Sequence, residues 1–417
     1  MATETKKEVR ESWKTPSVMG SIAAVILIFF GILGKPEIVS FELTGVREAI
    51  QLPYLDISSS LLGTVAGIIL LAITGYVAWQ VSRNIRASIW FSLLFGAIAL
   101  VALLGWLAAG SVVPVAFILG SALVLAVPII LGAMAGVMSE RVGVVNIAIE
   151  GQLLTGAFVA SVVGTLTENQ IVGIIAAMFT AALFSAVLAV FAVRFLAQQI
   201  IVGVVLNVLA IGITNFLYQQ WVTEDESATN SPGTLPIIHI PFLGDIPVIG
   251  PVLFQNRITV FLAIGIVIVL WFVLFKTKLG LRARAVGENP LAADTVGINV
   301  SRTRFWWVTL GGLLAGLGGA ALTVGSSGSF GREMSGGLGF IALAVVILGR
   351  WHPGYATAAA LLFGFSIILR IWANQVSPGI PTNFITMVPY LVTLIAVVGF
   401  VGRSRPPAAD GIPYVKG

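Results

Sequence analysis

KTKLGLRARAVGENPLAADTVGINVSRTR, Lys276 to Arg304, is a polar, basic island between two long apolar runs. Lys276, Lys278, Arg282, Arg284, Arg302 and Arg304 outnumber Glu288 and Asp294 in it. Loops rich in lysine and arginine stay on the cytoplasmic side of a membrane. Asn289-Pro290 followed by LAADTV reads as the start of a short helix, with asparagine as the cap and proline at the first position. Gly297 then closes it as a C-terminal glycine. A short helix lying on the cytoplasmic surface suits contact with a soluble partner; a solvated charged loop is the alternative.

The composition around this island sets the class. Of 417 residues, 58% are hydrophobic and 10% charged, against about 25% charged in soluble domains, so the chain is an all-α, polytopic membrane bundle. The net charge of +5 is accounted for by cytoplasmic loops, and no nucleic acid is needed to explain it. The absence of cysteine excludes disulfides, thiolate metal sites and cysteine catalysis. Residues 1–17 are polar, without a short apolar region and cleavage site, so 18–34 is expected to be a retained span.

Apolar runs of membrane-crossing length lie near 18–34, 61–79, 87–109, 113–137, 144–165, 171–193, 199–221, 258–275, 305–328, 354–372 and 385–402. A further run, 338–349, is too short to cross alone and must be tilted, extended or re-entrant inside protein. The run 144–165 contains Asn146, Glu150 and Gln152 and is a second candidate for a broken span. About 10–12 spans are expected. With Lys6, Lys7, Arg10 and Lys14 cytoplasmic, the same side receives Arg83, Arg86, Arg141, Arg194, the 276–304 loop, Arg350, Arg403, Arg405 and Lys416. Both termini are then cytoplasmic. The outer loop 222–257 carries Pro232, Pro236, Pro241, Pro247 and Pro251, which remove backbone donors and fix φ; it is expected to be extended, stiff and not helical.

No GxxxxGK phosphate loop, HExxH or GxSxG is present, and His239 and His352 are the only histidines, expected on opposite sides of the membrane. Neither an ATP site of the phosphate-loop kind, a metal site nor an enzyme is indicated. GGLLAGLGGA, 311–320, lies inside an apolar run, so its glycines are expected to let helix backbones approach rather than to bind a nucleotide. In SERVGVVNIAIEGQLLTGAF, 139–158, Glu150 and Gln152 fall at membrane depth, where charge is costly and faces a bundle interior or water-filled path. An interhelical hydrogen-bond lock, a substrate contact and a proton relay compete, and nearby Gly143, Gly151 and Gly156 favour the lock. Glu150→Gln, which keeps size and hydrogen-bonding capacity, is expected to be mild.

GVVNIAIEGQLLTGAF, LRARAVGENPLAADTVGINVSRTR, LGDIPVIGPVLF and GGLGFIALAVVILGRWHPGYATAAALLFG together resemble a permease subunit of a bacterial nucleoside-type (simple-sugar, basic-membrane-protein-dependent) ABC importer, within the ribose and branched-chain amino acid permease family. The resemblance covers roughly 113–402. It implies a multi-pass subunit in the bacterial cell membrane, a permease domain over 113–402, an N-terminal extension of about three spans over 1–112, and a cytoplasmic tail over 403–417. It implies no cofactor of its own, with ATP bound by two ATPase subunits. It also implies a second, homologous permease subunit and an extracytoplasmic lipoprotein that delivers the small-molecule nucleoside. GFIALAVVILGRW resembles one of the two permease types more than the other, which favours a heterodimer. The resemblance places ATPase coupling on Arg282, Arg284, Gly287, Glu288, Asn289, Pro290, Ala292, Ala293 and Gly297. Asn146, Glu150, Gln152, Asn207 and Phe330 are the expected residues of the substrate path. Ribose or another simple sugar is the alternative cargo, and an ion-coupled secondary transporter the alternative class, for which Glu150 is the one carboxylate at hand.

Overall fold

The computed structural model describes residues 13–45, 48, 50–85, 88–376 and 405–416; the run at 385–402 lies outside them. Among the described residues, ten helices are long and apolar enough to cross a membrane. The chain divides into two compact units, residues 1–118 with 369–387, and 119–368 with 388–417.

The first unit is a small helical bundle carrying a short sheet. Helix α1 (Lys14–Val25) runs into a π-helical turn (Ile26–Ile32), and α2 (Ser59–Ser82) and α3 (Ile89–Leu107) complete the bundle. Met19, Ala23, Leu70, Val77 and Ala102 are buried between them. Strand β1 (Ile38–Glu42) pairs antiparallel with β2 (Leu55–Ser58) and parallel with β3 (Val112–Pro114). The sequence patterning, read as all-helical, does not reveal this sheet, because its strands are three to five residues long.

The second unit holds α4 (Val115–Glu140), α5 (Ile149–Leu166), α6 (Gln170–Val193), α7 (Gln199–Leu217) and the single turn α8 (Glu226–Thr229). After strands β4 (Ile237–His239) and β5 (Gln255–Arg257) come α9 (Ile258–Lys276), α10 (Lys278–Glu288), α11 (Pro290–Thr295), α12 (Val300–Leu322), α13 (Leu338–Leu348) and α14 (Pro353–Val376). The first residues of α4 and the last of α14 fall in the first unit. Helices α5, α6 and α12 form the tightest set, and glycines are the reason. A side chain on Gly316 would overlap the Ala177 carbonyl of α6, and one on Gly319 the Leu153 carbonyl of α5. The expectation for 311–320 therefore holds: small residues let backbones touch where lipid offers no hydrophobic drive to bring helices together.

The two weak runs are both interrupted. An irregular segment, 141–148, separates α4 from α5, so the helix expected to start at 144 begins at Ile149. Helix α13 has 11 residues and is preceded by a non-helical stretch, 328–337. The loop 222–257 differs from its expectation. It contains helical turns at Glu226–Thr229 and Gly250–Phe254 and the β4–β5 hairpin. Proline fits the first turn of a helix, where its missing donor costs nothing; Pro251 occupies that place.

Candidate functional site

The two interruptions meet at Glu150. This residue lies in the first turn of α5 and is 6% exposed. Its Oε1 accepts from the Ser335 hydroxyl at 2.7 Å and the Gly337 amide at 2.8 Å, and its Oε2 from the Gly339 amide at 2.7 Å. Gly337, at φ 86°, is the residue that opens α13, a left-handed conformation that other residues reach only at a cost. One carboxylate thus caps the start of α13 while sitting at the start of α5. Both helix N-termini present unpaired amides and partial positive charge, which is why an acid is stable there. Helix α13, with 11 residues, is about 16 Å long at 1.5 Å per residue. Its other end leads to Trp351, whose indole N–H donates to Glu140 at the end of α4.

Amides fill the rest of the break. Asn146 and Gln152, both wholly buried, exchange two hydrogen bonds at 3.2 and 3.3 Å. Asn207 of α7 donates to the Ile147 carbonyl at 2.8 Å and accepts from the Gly151 amide at 2.8 Å. It supplies from another helix the partners that the broken segment lacks internally, as a buried backbone requires.

Phe330 stands apart from this cluster. It is 2% exposed, in T-shaped contact with Phe158 (centroids 5.2 Å apart) and tilted against Tyr218 at 6.0 Å. Its backbone is held on both sides by Asn230 of the 222–257 loop, with Phe330 N donating at 2.8 Å and Asn230 Nδ2 donating to Phe330 O at 3.0 Å. Ser161 of α5 donates to the same Asn230 oxygen at 2.7 Å. Of the expected path residues, Asn146, Glu150, Gln152 and Asn207 gather around one break, while Phe330 belongs to a separate aromatic group. Asn230 carries no sequence signal beyond being an amide in a polar loop.

The 276–304 island is a run of capped helices. Thr277 caps α10 through Gly280 N, Asn289 caps α11 through Ala292 N at 3.0 Å, and Asn299 caps α12 through Arg302 N at 2.8 Å. Pro290 opens α11, and Gly297 follows it at φ 82°, as expected. Ala293 is buried under α11. Leu291 and Val296 point away, 62% and 74% exposed, in company with exposed Arg282, Glu288 and Ala292. Arg284 lies over the Phe275 ring at 5.2 Å. Arg141 shares that ring at 5.6 Å and donates to the Trp351 carbonyl at 2.8 Å. Burial lowers the Arg141 pKa, and Arg284 adds to the effect.

Arg304 and the C-terminal segment are the residues that sequence patterning overlooks. Arg304, counted there only as a loop charge, is 2% exposed. It donates to Val142 O at 3.0 Å, Ile412 O at 2.8 Å and Ala409 O at 3.5 Å. Ala409 N in turn donates to Gly287 O at 2.9 Å. A cavity of about 400 Å³, lined by Glu140, Val145, Ile147, Trp351, Pro406 and Asp410 among others, lies between the break, α13 and this segment. Burial pushes the Asp410 carboxyl up to about 7, against the opposing pull of the Gly411 amide and Arg304.

Comparison with known proteins places this architecture. The profile of the branched-chain amino acid transport system / permease component family matches residues 118–397. The chain belongs to that permease family. It is 43% identical over 310 residues to the guanosine ABC transporter permease protein NupQ of Bacillus subtilis, covering 72% of this chain and 97% of that protein. It is 41% identical over 310 residues to the nucleoside ABC transporter permease protein NupC of Lactococcus lactis, covering 72% and 96%. A second Bacillus subtilis protein, the guanosine ABC transporter permease protein NupP, is 27% identical over 290 residues, covering 66% and 80%. No solved structure matches the chain. The chain is an integral, multi-pass membrane permease.

Proposed function

We propose that this permease is the membrane subunit of an ATP-driven importer of nucleosides in the bacterial cell membrane, with no catalytic step or cofactor of its own. The observation that carries the reading is the near-complete coverage of NupQ and NupC, 97% and 96% of their lengths, both named for nucleoside or guanosine transport. Similarity to NupP as well as NupQ in one organism supports two homologous permease subunits per transporter, and so a heterodimer. ATP is bound by separate ATPase subunits, and an extracytoplasmic lipoprotein delivers the nucleoside.

In this reading α11 is the coupling element. Its capped start and its exposed Leu291 and Val296 offer a rigid apolar tip to a groove in an ATPase, within a coupling region that comprises Arg282, Arg284, Gly287, Glu288, Asn289, Pro290, Ala292, Ala293 and Gly297. Coupling-helix movement shifts the bundle as rigid bodies between two states. Asn146, Glu150, Gln152 and Asn207 line or support the path, and Phe330 with Phe158 and Tyr218 supplies aromatic faces suited to a nucleobase. The termini and the 276–304 loop face the cytoplasm. Residues 1–112 form an accessory extension to the permease domain 113–402, and 403–417 a cytoplasmic tail. Cells expressing the transporter should take up labelled guanosine or uridine, with competition from unlabelled nucleosides and none from ribose. Competition by ribose alone would move the cargo to simple sugars.

A further inference from the structure

The coupling loop does not stand alone on its end of the permease unit. The segment Arg405–Lys416 lies across its root, held there by hydrogen bonds and by one packed ring. Ala409 N donates to Gly287 O at 2.9 Å, and Ala408 N to Glu288 Oε2 at 3.3 Å. Arg304 then ties the Ile412 and Ala409 carbonyls to the Val142 carbonyl of the break. The Tyr414 ring packs on the cluster formed by Val142, Val286, Ala293 and Val300. Three places in the sequence are thereby joined: the α10–α11 junction, the first residues of α12, and the 141–148 break that carries Asn146. Arg304 is the hub, because its planar guanidinium presents fixed, spread donors to three separate carbonyls, whereas an ammonium is one compact point on a flexible stem. At the hub Gly143 sits at φ 85°, and a side chain there would lie 2.7 Å from Arg304 Nη2 and 2.8 Å from Ala409 O.

We propose that the C-terminal strap, clamped by Arg304, is a positioning part of the coupling apparatus: it makes the coupling loop and the α4–α5 break move as one body. The proposal rests on the coupling role of the 276–304 loop. It assigns a task to a segment that lies beyond the last residue, 397, of the family match. If the strap only covered the protein end, loosening it would lower stability and leave the yield of transport per ATP unchanged. As a mechanical link, loosening it lets the loop move without moving the break, so ATP is hydrolysed with little uptake.

The test uses the complete transporter with cysteine-free partner subunits, since this chain has no cysteine. Arg304→Gln should lower nucleoside transported per ATP hydrolysed at least about fivefold, with Arg304→Lys in between. A disulfide between Val145→Cys of the break and Gly411→Cys of the strap, where a side chain on Gly411 would lie 3.4 Å from Val145 Cγ2, should leave that ratio within about twofold of the same variant reduced, because strap and break already travel together. The same disulfide added to Arg304→Gln should recover most of the lost ratio. A normal ratio in Arg304→Gln, or loss of transport on oxidising the pair in the otherwise unchanged chain, would overturn the proposal. Should Arg304→Gln fail to accumulate, Arg304→Lys carries the test: a lowered ratio that the disulfide restores supports the link, and an unchanged ratio overturns it. Failure of the parent reading shows separately, as an unsubstituted transporter without ATP-dependent uptake.

Discussion

Glu150 offers the sharpest prediction about how the permease core is held. By size and polarity alone Glu150→Gln is conservative, and from sequence it is expected to be mild. The hydrogen bonds reverse that expectation. All three partners of the carboxylate are donors, two on Oε1 and one on Oε2. Glutamine has one acceptor oxygen. Placed toward Ser335 and Gly337, it turns its NH₂ toward the Gly339 amide, donor against donor. Leaving one buried amide unpaired costs about 1–3 kcal/mol. Glu150→Leu strands both the Gly337 and Gly339 amides, for roughly 2–6 kcal/mol, while the Ser335 hydroxyl can rotate elsewhere. The order of stability is therefore wild type, then Gln, then Leu, with Glu150→Asp below wild type because it is too short to reach all three donors. Thermal unfolding of detergent-purified protein, followed by aggregation on size exclusion, gives the ranking. Glu150→Gln unfolding with the wild type, while Leu is strongly impaired, would refute the donor-only cradle and show that one oxygen suffices.

Gly316→Leu should block assembly of the α6–α12 contact, since the side chain has only the Ala177 carbonyl to occupy; normal membrane accumulation and transport would contradict this. Asn289→Ala removes the cap of α11, worth about 1 kcal/mol, and should lower coupling to the ATPase several-fold without lowering the amount of protein in the membrane, read as substrate-stimulated ATP hydrolysis. The strap should respond to pH. The Asp410 carboxyl, facing Glu140 and Arg304, is raised from 3.8 to about 7 in the docked strap, so docking binds a proton. That contribution is full below about pH 4 and is lost as pH rises through 7. A spin label at Val415→Cys should be more mobile at pH 8 than at pH 5.5, and Asp410→Asn should flatten the difference.

Much of this architecture is written in local patterns. Long apolar runs, the Asn289-Pro290 start and the Gly312–Gly316–Ala320 spacing each depend on residues a few positions apart, so they survive reading in one dimension. The broken spans are half legible: Asn146, Glu150 and Gln152 mark a segment that is not ordinary lipid-facing helix. What they bind is not marked, because Ser335, Gly337 and Gly339 lie more than 180 residues away along the chain. Gly287 shows the same limit. The resemblance counts it among the coupling residues, yet a side chain there would overlap the Arg141 carbonyl, a packing constraint that no local pattern marks. Arg304 is the clearest case. It ends a basic loop and is indistinguishable there from solvated Arg302, and only carbonyls more than a hundred residues away, those of the strap and of Val142, turn it inward.

Dependence on ATP is read from uptake into proteoliposomes containing the assembled transporter, with ATP supplied at the ATPase face. Labelled guanosine or uridine should accumulate only with hydrolysable ATP and should continue to do so when ionophores collapse proton and sodium gradients. Accumulation without ATP that ionophores abolish would contradict the account and make Glu150 part of an ion-coupled carrier.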